Sequence, residues 1–168
     1  YIKRNPNTFI YGTPRFMSLI GIHLDAQPGW LVATNNDEIV GLLPFMKKNG
    51  YLGPVFNSLA YYGSNGGVIQ HSNNEEAKAY LISEFYKMAE DERCASATII
   101  TNPLENDSEF YNNHTGYDLI DERIGQITHF PNNIKQDELM SIFQDPRPRN
   151  IRRAIREGIE VTKRQDDE

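Results

Sequence analysis

The sequence predicts a mixed α+β domain, a sheet flanked by helices, and three observations carry that prediction. A hairpin pattern occupies residues 30–46, a capped amphipathic helix follows at about 75–93, and a short β-rich run comes directly after it. Taken in order, the signals read α, β, β, β, α, β, α, β, β.

The first helix starts at Thr13-Pro14, a capping hydroxyl followed by proline at the first helical position, and Phe16, Leu19 and Ile20 supply its apolar face. Trp30 to Thr34 and Glu38 to Met46 are strands joined through the turn residues Asn35-Asn36-Asp37. Asn49-Gly50 marks a second turn, and Tyr51 to Ala60 is apolar with Gly53-Pro54 inside it, which predicts a bulged or edge strand. Ser72-Asn73-Asn74-Glu75 has capping-box form. Ala77, Leu81, Phe85 and Met88 then recur at helical spacing to about Arg93. Ser96 to Thr101 is the β-rich run, and Tyr117 to Asp121 and Gln126 to Phe130 read as two further strands. Short helices are expected at Asp107 to His114 and Asp137 to Phe143, and there is no internal repeat.

A chain of 168 residues fits one core, and no stretch approaches the roughly 20 apolar residues of a membrane span. Cys94 is the only cysteine, which excludes an internal disulfide and any cysteine-based metal cluster and suits a reducing, cytoplasmic compartment. Asn106-Asp107-Ser108 and Asn113-His114-Thr115 match a glycosylation pattern and are read as chance matches in polar loops. The chain opens on Tyr1-Ile2-Lys3-Arg4 without an initiator Met, and it is expected to be part of a longer protein.

Net charge is −6, yet arginine crowds one place: Arg147, Arg149, Arg152, Arg153 and Arg156 share a ten-residue window that holds no acidic residue. Ile151, Ala154, Ile155 and Ile159 follow i, i+3, i+4, i+8, while Arg149, Arg152, Arg153 and Arg156 follow i, i+3, i+4, i+7. One face is expected to pack and the other to present a row of guanidinium groups suited to phosphate or carboxylate. The alternative is a solvated face pairing with Asp145 or Glu157. Gly158 stops this helix, and Ile159 to Lys163 alternates as a strand would, one expected to begin a second sheet.

Four places resemble the FemAB-type branch of the GNAT superfamily of N-acyltransferases. Leu31-Val32-Ala33 with Ile39-Val40-Gly41-Leu42-Leu43-Pro44 is similar to the family's hairpin with its Gly-x-x-Pro pattern. Tyr61-Tyr62-Gly63-Ser64-Asn65-Gly66-Gly67-Val68 resembles its Tyr-Gly-Gly loop, with Ser64 and Asn65 inserted between the glycines. Ile127-Thr128-His129-Phe130 and the short helix after it resemble the passage out of the first domain. The most distinctive match is Arg149-Asn150-Ile151-Arg152-Arg153-Ala154 through Gly158 to Val161, similar to a basic junction helix closed by glycine. The resemblance implies a GNAT-like mixed sheet over residues 1–146, the first of two tandem domains. Residues 147–168 would be the junction helix and the first strand of the second.

It further implies the acceptor-side half of an aminoacyl or N-acyl transferase acting on an amine of a cell-wall or polysaccharide precursor, the fragment being inactive alone. A phosphate-bearing or lipid-linked acceptor would meet Arg149, Arg152 and Arg153 and the loop residues Tyr61, Tyr62 and Asn65. The alternative reading of the two tyrosines is as ordinary core aromatics on a strand end. Aminoacyl-tRNA would reach the protein through the second domain, and the compartment would be cytoplasmic, at the inner face of the membrane for a lipid-linked acceptor.

The family's pyrophosphate loop, Gln/Arg-x-x-Gly-x-Gly/Ala at a helix N-terminus, is missing: Gly63-Ser64-Asn65-Gly66-Gly67 lacks the leading Gln or Arg. No cofactor is therefore expected for this chain. No Gly-x-Ser-x-Gly elbow, His-Glu-x-x-His pair or Cys/His pairing exists, and His23, His71, His114 and His129 are scattered, so neither catalytic residues nor a metal site are assigned. Two other functions stay open at this level: a self-contained GNAT acetyltransferase using acyl-CoA, and a non-enzymatic module gripping RNA or another polyanion through the arginine helix.

Overall fold

Helix α1, Pro14–Leu24, begins as its sequence dictates. The Thr13 side chain accepts from the Phe16 N–H at 3.4 Å, Pro14 fills the first turn, and Asp25 ends the helix in the left-handed region. The computed structural model describes residues 2, 8–58, 66–122, 128–135 and 138–162. Two compact units divide the chain, Tyr1–Asp121 and Glu122–Glu168.

In the first unit, β1 (Gln27–Asn35) and β2 (Glu38–Gly50) form an antiparallel hairpin around Asn36-Asp37. Both turn residues have positive φ, 48° and 65°, as a two-residue turn matched to strand twist requires. The register shifts between Ala33 and Thr34, so that Ala33 faces Gly41 and Thr34 faces Ile39, which leaves Val40 unopposed as a bulge.

Strand β2 runs past Pro44 to Gly50, beyond the expected end at Met46. Proline is tolerated because, among the described residues, β2 lacks a ladder partner there on its second edge. Leu42 is bridged to Ile69, and pairing with β3 (Gly53–Asn57) begins only at Met46. Pairing shows that β3 is an interior strand and not the edge strand expected from Gly53-Pro54, since β4 (Ser96–Thr98) lies parallel on its far side.

Helix α2, Glu75–Asp91, is capped by Asn74, whose side chain accepts from the Ala77 N–H at 3.0 Å; the expected cap at Ser72 is two residues too early. Its buried stripe of Ala77, Leu81, Ile82, Phe85 and Ala89 packs on Leu43 and Phe56 of the sheet. Met17 of α1 packs on Met46, with Phe16, Ile20 and Trp30 around them. Both faces of β2 are therefore covered, which is why Leu42, Leu43, Pro44 and Met46 are all buried despite the alternation of strand side chains. Phe56 lies 5.4 Å from Phe45 and 6.1 Å from Phe85 between ring centroids, and full burial of each ring contributes about 1.5–3 kcal/mol. This is a four-stranded mixed sheet with flanking helices. The fold is α+β.

Helix α3, Ser108–His114, occupies the segment expected to be helical. Residues 117–121 are not a strand, and neither are 128–130; positions 126 and 127 of that expected strand lie outside the described residues. Tyr117, Leu119 and Ile120 are exposed, so β propensity there finds no strand edge to satisfy its backbone groups.

In the second unit a 3-10 turn at Leu139–Ile142 stands where a helix from Asp137 to Phe143 was expected, with Asp137 outside the described residues. Helix α4 spans Arg147–Arg156. Residues 159–162 form no strand, and Lys163 lies outside the described residues. Among the described residues, no helix is long and apolar enough to cross a membrane.

Candidate functional site

The parallel strands β3 and β4 end side by side, with Asn57 opposite Thr98. Beyond them a side chain replaces the ladder: the Ser58 N–H donates to the Thr98 carbonyl at 2.8 Å, while Ser58 Oγ accepts from the Ile100 N–H at 2.8 Å. The Gly66 N–H donates to the Ile100 carbonyl at 3.0 Å, and Ile69 exchanges two backbone bonds with Leu42. Ser58 and Gly66 thus hang both ends of segment 59–65 on the residues leaving β4. Loops at the carboxyl ends of adjacent parallel strands are where open sheets hold ligands. Tyr61, Tyr62 and Asn65 belong to this segment and lie outside the described residues.

Beneath the returning strand lies a polar knot. The buried Lys78 ammonium pairs with Asp107 and sits 5.1 Å from the Phe110 ring centroid and 5.0 Å from that of Tyr111. The Val68 N–H donates to Tyr111 Oη at 2.8 Å. Gly67 holds φ +88°, and a Cβ there would meet Tyr111 Oη at 2.8 Å. Burial holds the Tyr111 hydroxyl well above the usual tyrosine range, against the opposing bond from Val68. Asp107 Oδ1 is buried without a hydrogen-bond partner among the described residues. Nothing in the motif reading pointed here, but a signal existed: Lys78 precedes Ile82, Phe85 and Ala89 at i+4, i+7 and i+11, a charge on the apolar stripe.

Helix α4 carries the remaining predicted contacts. At 100° per residue Arg149, Arg152, Arg153 and Arg156 span an arc of roughly 100°, opposite Ile151, Ala154 and Ile155. Arg153 Nε donates to Glu157 Oε1 at 2.7 Å, the exposed pairing that the solvated alternative foresaw. Arg149, Arg152 and Arg156 have no ion pair among the described residues. Gly158, with φ +80°, closes the helix. Its N–H donates to the Ile155 carbonyl at 3.1 Å and that of Ile159 to the Ala154 carbonyl at 3.0 Å, a Schellman ending. The apolar stripe does not pack as expected: Ile155 is 66% and Ile159 60% exposed, and Ile151 is exposed as well. Arginine helix and segment 59–65 fall in different units.

Elsewhere, an open cleft of about 590 Å³ beside the end of α1 is lined by Ile22, Asp25, Pro28, Lys47 and Asn49. Lys47 on its wall pairs with Glu92. Burial first and Glu92 second push the Cys94 thiol up, against Lys47, the reverse of an activated nucleophile. Among the described residues no three His, Cys, Asp or Glu side chains could hold a metal ion.

No protein-family model matches the chain, and no curated protein matches it. One solved structure to which it is similar is described as a probable acetyltransferase, at 12% identity and a TM-score of 0.44. That likeness covers 71% of this chain and 77% of the other.

Proposed function

We propose that this chain is the acceptor-side half of an aminoacyl or N-acyl transferase of FemAB type. Its acceptor is an amine on a phosphate-bearing precursor of cell wall or polysaccharide, and its donor site belongs to a second GNAT-like domain after α4. The observation that carries this reading is the exposed arginine row of α4, where Arg149 and Arg152 are unpaired among the described residues and Arg153 is held only by an exposed contact to Glu157. Guanidinium forks bind phosphate through paired N–H donors and need no glycine-rich cradle. The reading is supported further by the sequence Gly63-Ser64-Asn65-Gly66-Gly67, which lacks the leading Gln or Arg of an acyl-CoA enzyme's pyrophosphate loop.

In such a transfer the acceptor amine attacks the donor carbonyl, the carbonyl oxygen gains negative charge and the amine loses a proton; the tetrahedral intermediate then collapses with cleavage of the donor's acyl–oxygen or acyl–sulfur bond, and the carrier leaves as alcohol or thiol. Positioning and oxyanion stabilisation supply most of the rate. On this reading the arginines of α4 fix the acceptor's phosphate.

Calorimetry tests it with two probes, acetyl-CoA and a nucleoside-diphosphate sugar bearing a peptide with a free amine. Heat is expected with the second probe and not the first. The joint change Arg149→Gln and Arg152→Gln should weaken that binding at least tenfold, since a hydrogen bond to a charged group contributes about 1.5–3 kcal/mol. Saturable heat with acetyl-CoA would instead make this a self-contained acetyltransferase.

A further inference from the structure

Helix α4 presents two faces of opposite character, and both are exposed. Its ten residues hold five arginines and no acid, in a chain whose net charge is −6. An anionic surface would oppose the protein's net charge and attract this helix, so contact would be oriented. Opposite the arginines, Ile151, Ile155 and Ile159 stand exposed. The Schellman ending places Ile159 over Ala154, which extends the apolar stripe past the helix end.

Each class of occupant can be judged by how much of this surface it would cover. A nucleic acid would neutralise the arginines and leave three isoleucines in water. A hydrophobic groove on another protein would cover the isoleucines and leave the cations unanswered. A lipid–water interface meets both needs at once: the apolar stripe enters the acyl boundary while arginine stems, long and flexible, carry their guanidinium groups to the phosphates. Charge complementarity selects anionic lipid over neutral lipid.

We propose that α4 is an interfacial helix that docks this protein on an anionic lipid surface, with Ile151, Ile155 and Ile159 inserted and Arg149, Arg152 and Arg156 on headgroup phosphates. This goes beyond the transfer reaction and does not rest on it; a lipid phosphate and the acceptor's phosphate would compete for Arg149 and Arg152. Arg152, on the arc nearest the apolar stripe, is the cation best placed to flank inserted side chains. Docking is reversible, because one short helix buries only a few apolar side chains and each arginine adds a bounded attraction that salt screens.

Co-sedimentation of the 168-residue chain with vesicles tests it, using phosphatidylcholine alone and phosphatidylcholine mixed with phosphatidylglycerol. Pelleting is expected with the mixed vesicles only, falling as salt rises. Ile155→Ser should weaken it about tenfold, the effect of withdrawing one inserted isoleucine. Arg152→Gln should weaken it about fivefold, from roughly 1 kcal/mol per cation near such a surface. Both positions are exposed, so neither change threatens the fold. Equal pelleting with neutral vesicles, or none with anionic ones, would overturn the proposal. It would fall equally if Ile155→Ser pelleted like the parent while Arg152→Gln did not, because the helix would then be a plain polyanion site, and tight arginine-dependent binding of poly(U) would identify it.

Discussion

The backbone N–H of Val68 donates to the hydroxyl oxygen of Tyr111 at 2.8 Å across 43 residues of chain, in a buried setting. That bond ties the strand returning from segment 59–65 to helix α3. The neighbouring pair of Lys78 and Asp107 ties α2 to the residue just before α3. Val68 is therefore held by a side chain far from it in sequence.

Replacing Tyr111 by Phe keeps the ring and strands the Val68 N–H in a buried place. The expected cost is about 1–3 kcal/mol, the desolvation penalty of an unsatisfied donor. In a chain of this size each kcal/mol lowers the melting midpoint by roughly 2–4 °C. Calorimetry of the Tyr111→Phe variant measures it, and an unchanged midpoint would show that this anchor adds nothing to stability.

Alkaline pH acts on the same group. Burial raises the folded-state pKa of Tyr111, with Val68 opposing and Asp107 and Glu105 adding to the rise. Tyrosine in the unfolded chain ionises near 10, so above about pH 10 the unfolded state sheds a proton that the folded state keeps. The contribution is whole below that pH and is lost as pH climbs toward the folded value. Urea midpoints should fall more steeply for the parent than for Tyr111→Phe above about pH 10. Parallel curves would refute the assignment.

Breaking the buried ion pair should cost more than removing it. Asp107→Ala leaves the Lys78 ammonium, whose side chain is 8% exposed, without its counter-charge, and about 3–5 kcal/mol of stability is lost. Adding Lys78→Met to Asp107→Ala should restore much of that. A double variant as unstable as the sum of its singles would mean that the two residues do not interact.

One change should stabilise. Asp37 holds φ 65° in the hairpin turn, a conformation that glycine adopts without the Cβ penalty. Asp37→Gly is expected to gain about 0.5–1 kcal/mol, read as a higher denaturation midpoint with an unchanged m-value. A lower midpoint would show that the Asp37 side chain contributes more than its strain.

Local signals were legible where chemistry and geometry coincide within a few residues. Thr13-Pro14 opens α1, Asn36-Asp37 turns the hairpin, and Gly158 closes α4, because each satisfies a backbone requirement by itself. The arginine and isoleucine stripes of α4 likewise follow from helical periodicity. The strand expected over 117–121 failed for the complementary reason: β propensity states what a segment tolerates, while a strand exists only where another edge meets it.

By itself, the sequence determined the α+β class, the order of hairpin, long helix and short strand, and the opposed faces of the basic helix. Those properties depend on neighbours within about a turn or a hairpin. Tertiary structure alone decided that β4 runs parallel to an interior β3, that Pro44 falls at a gap in the ladder, and that Lys78, Asp107, Tyr111 and Val68 meet. It also decided that the isoleucines of α4 stay uncovered. Contacts between residues tens of positions apart are set by packing and by the pairing of buried polar groups, and no short window of sequence records which partner is within reach.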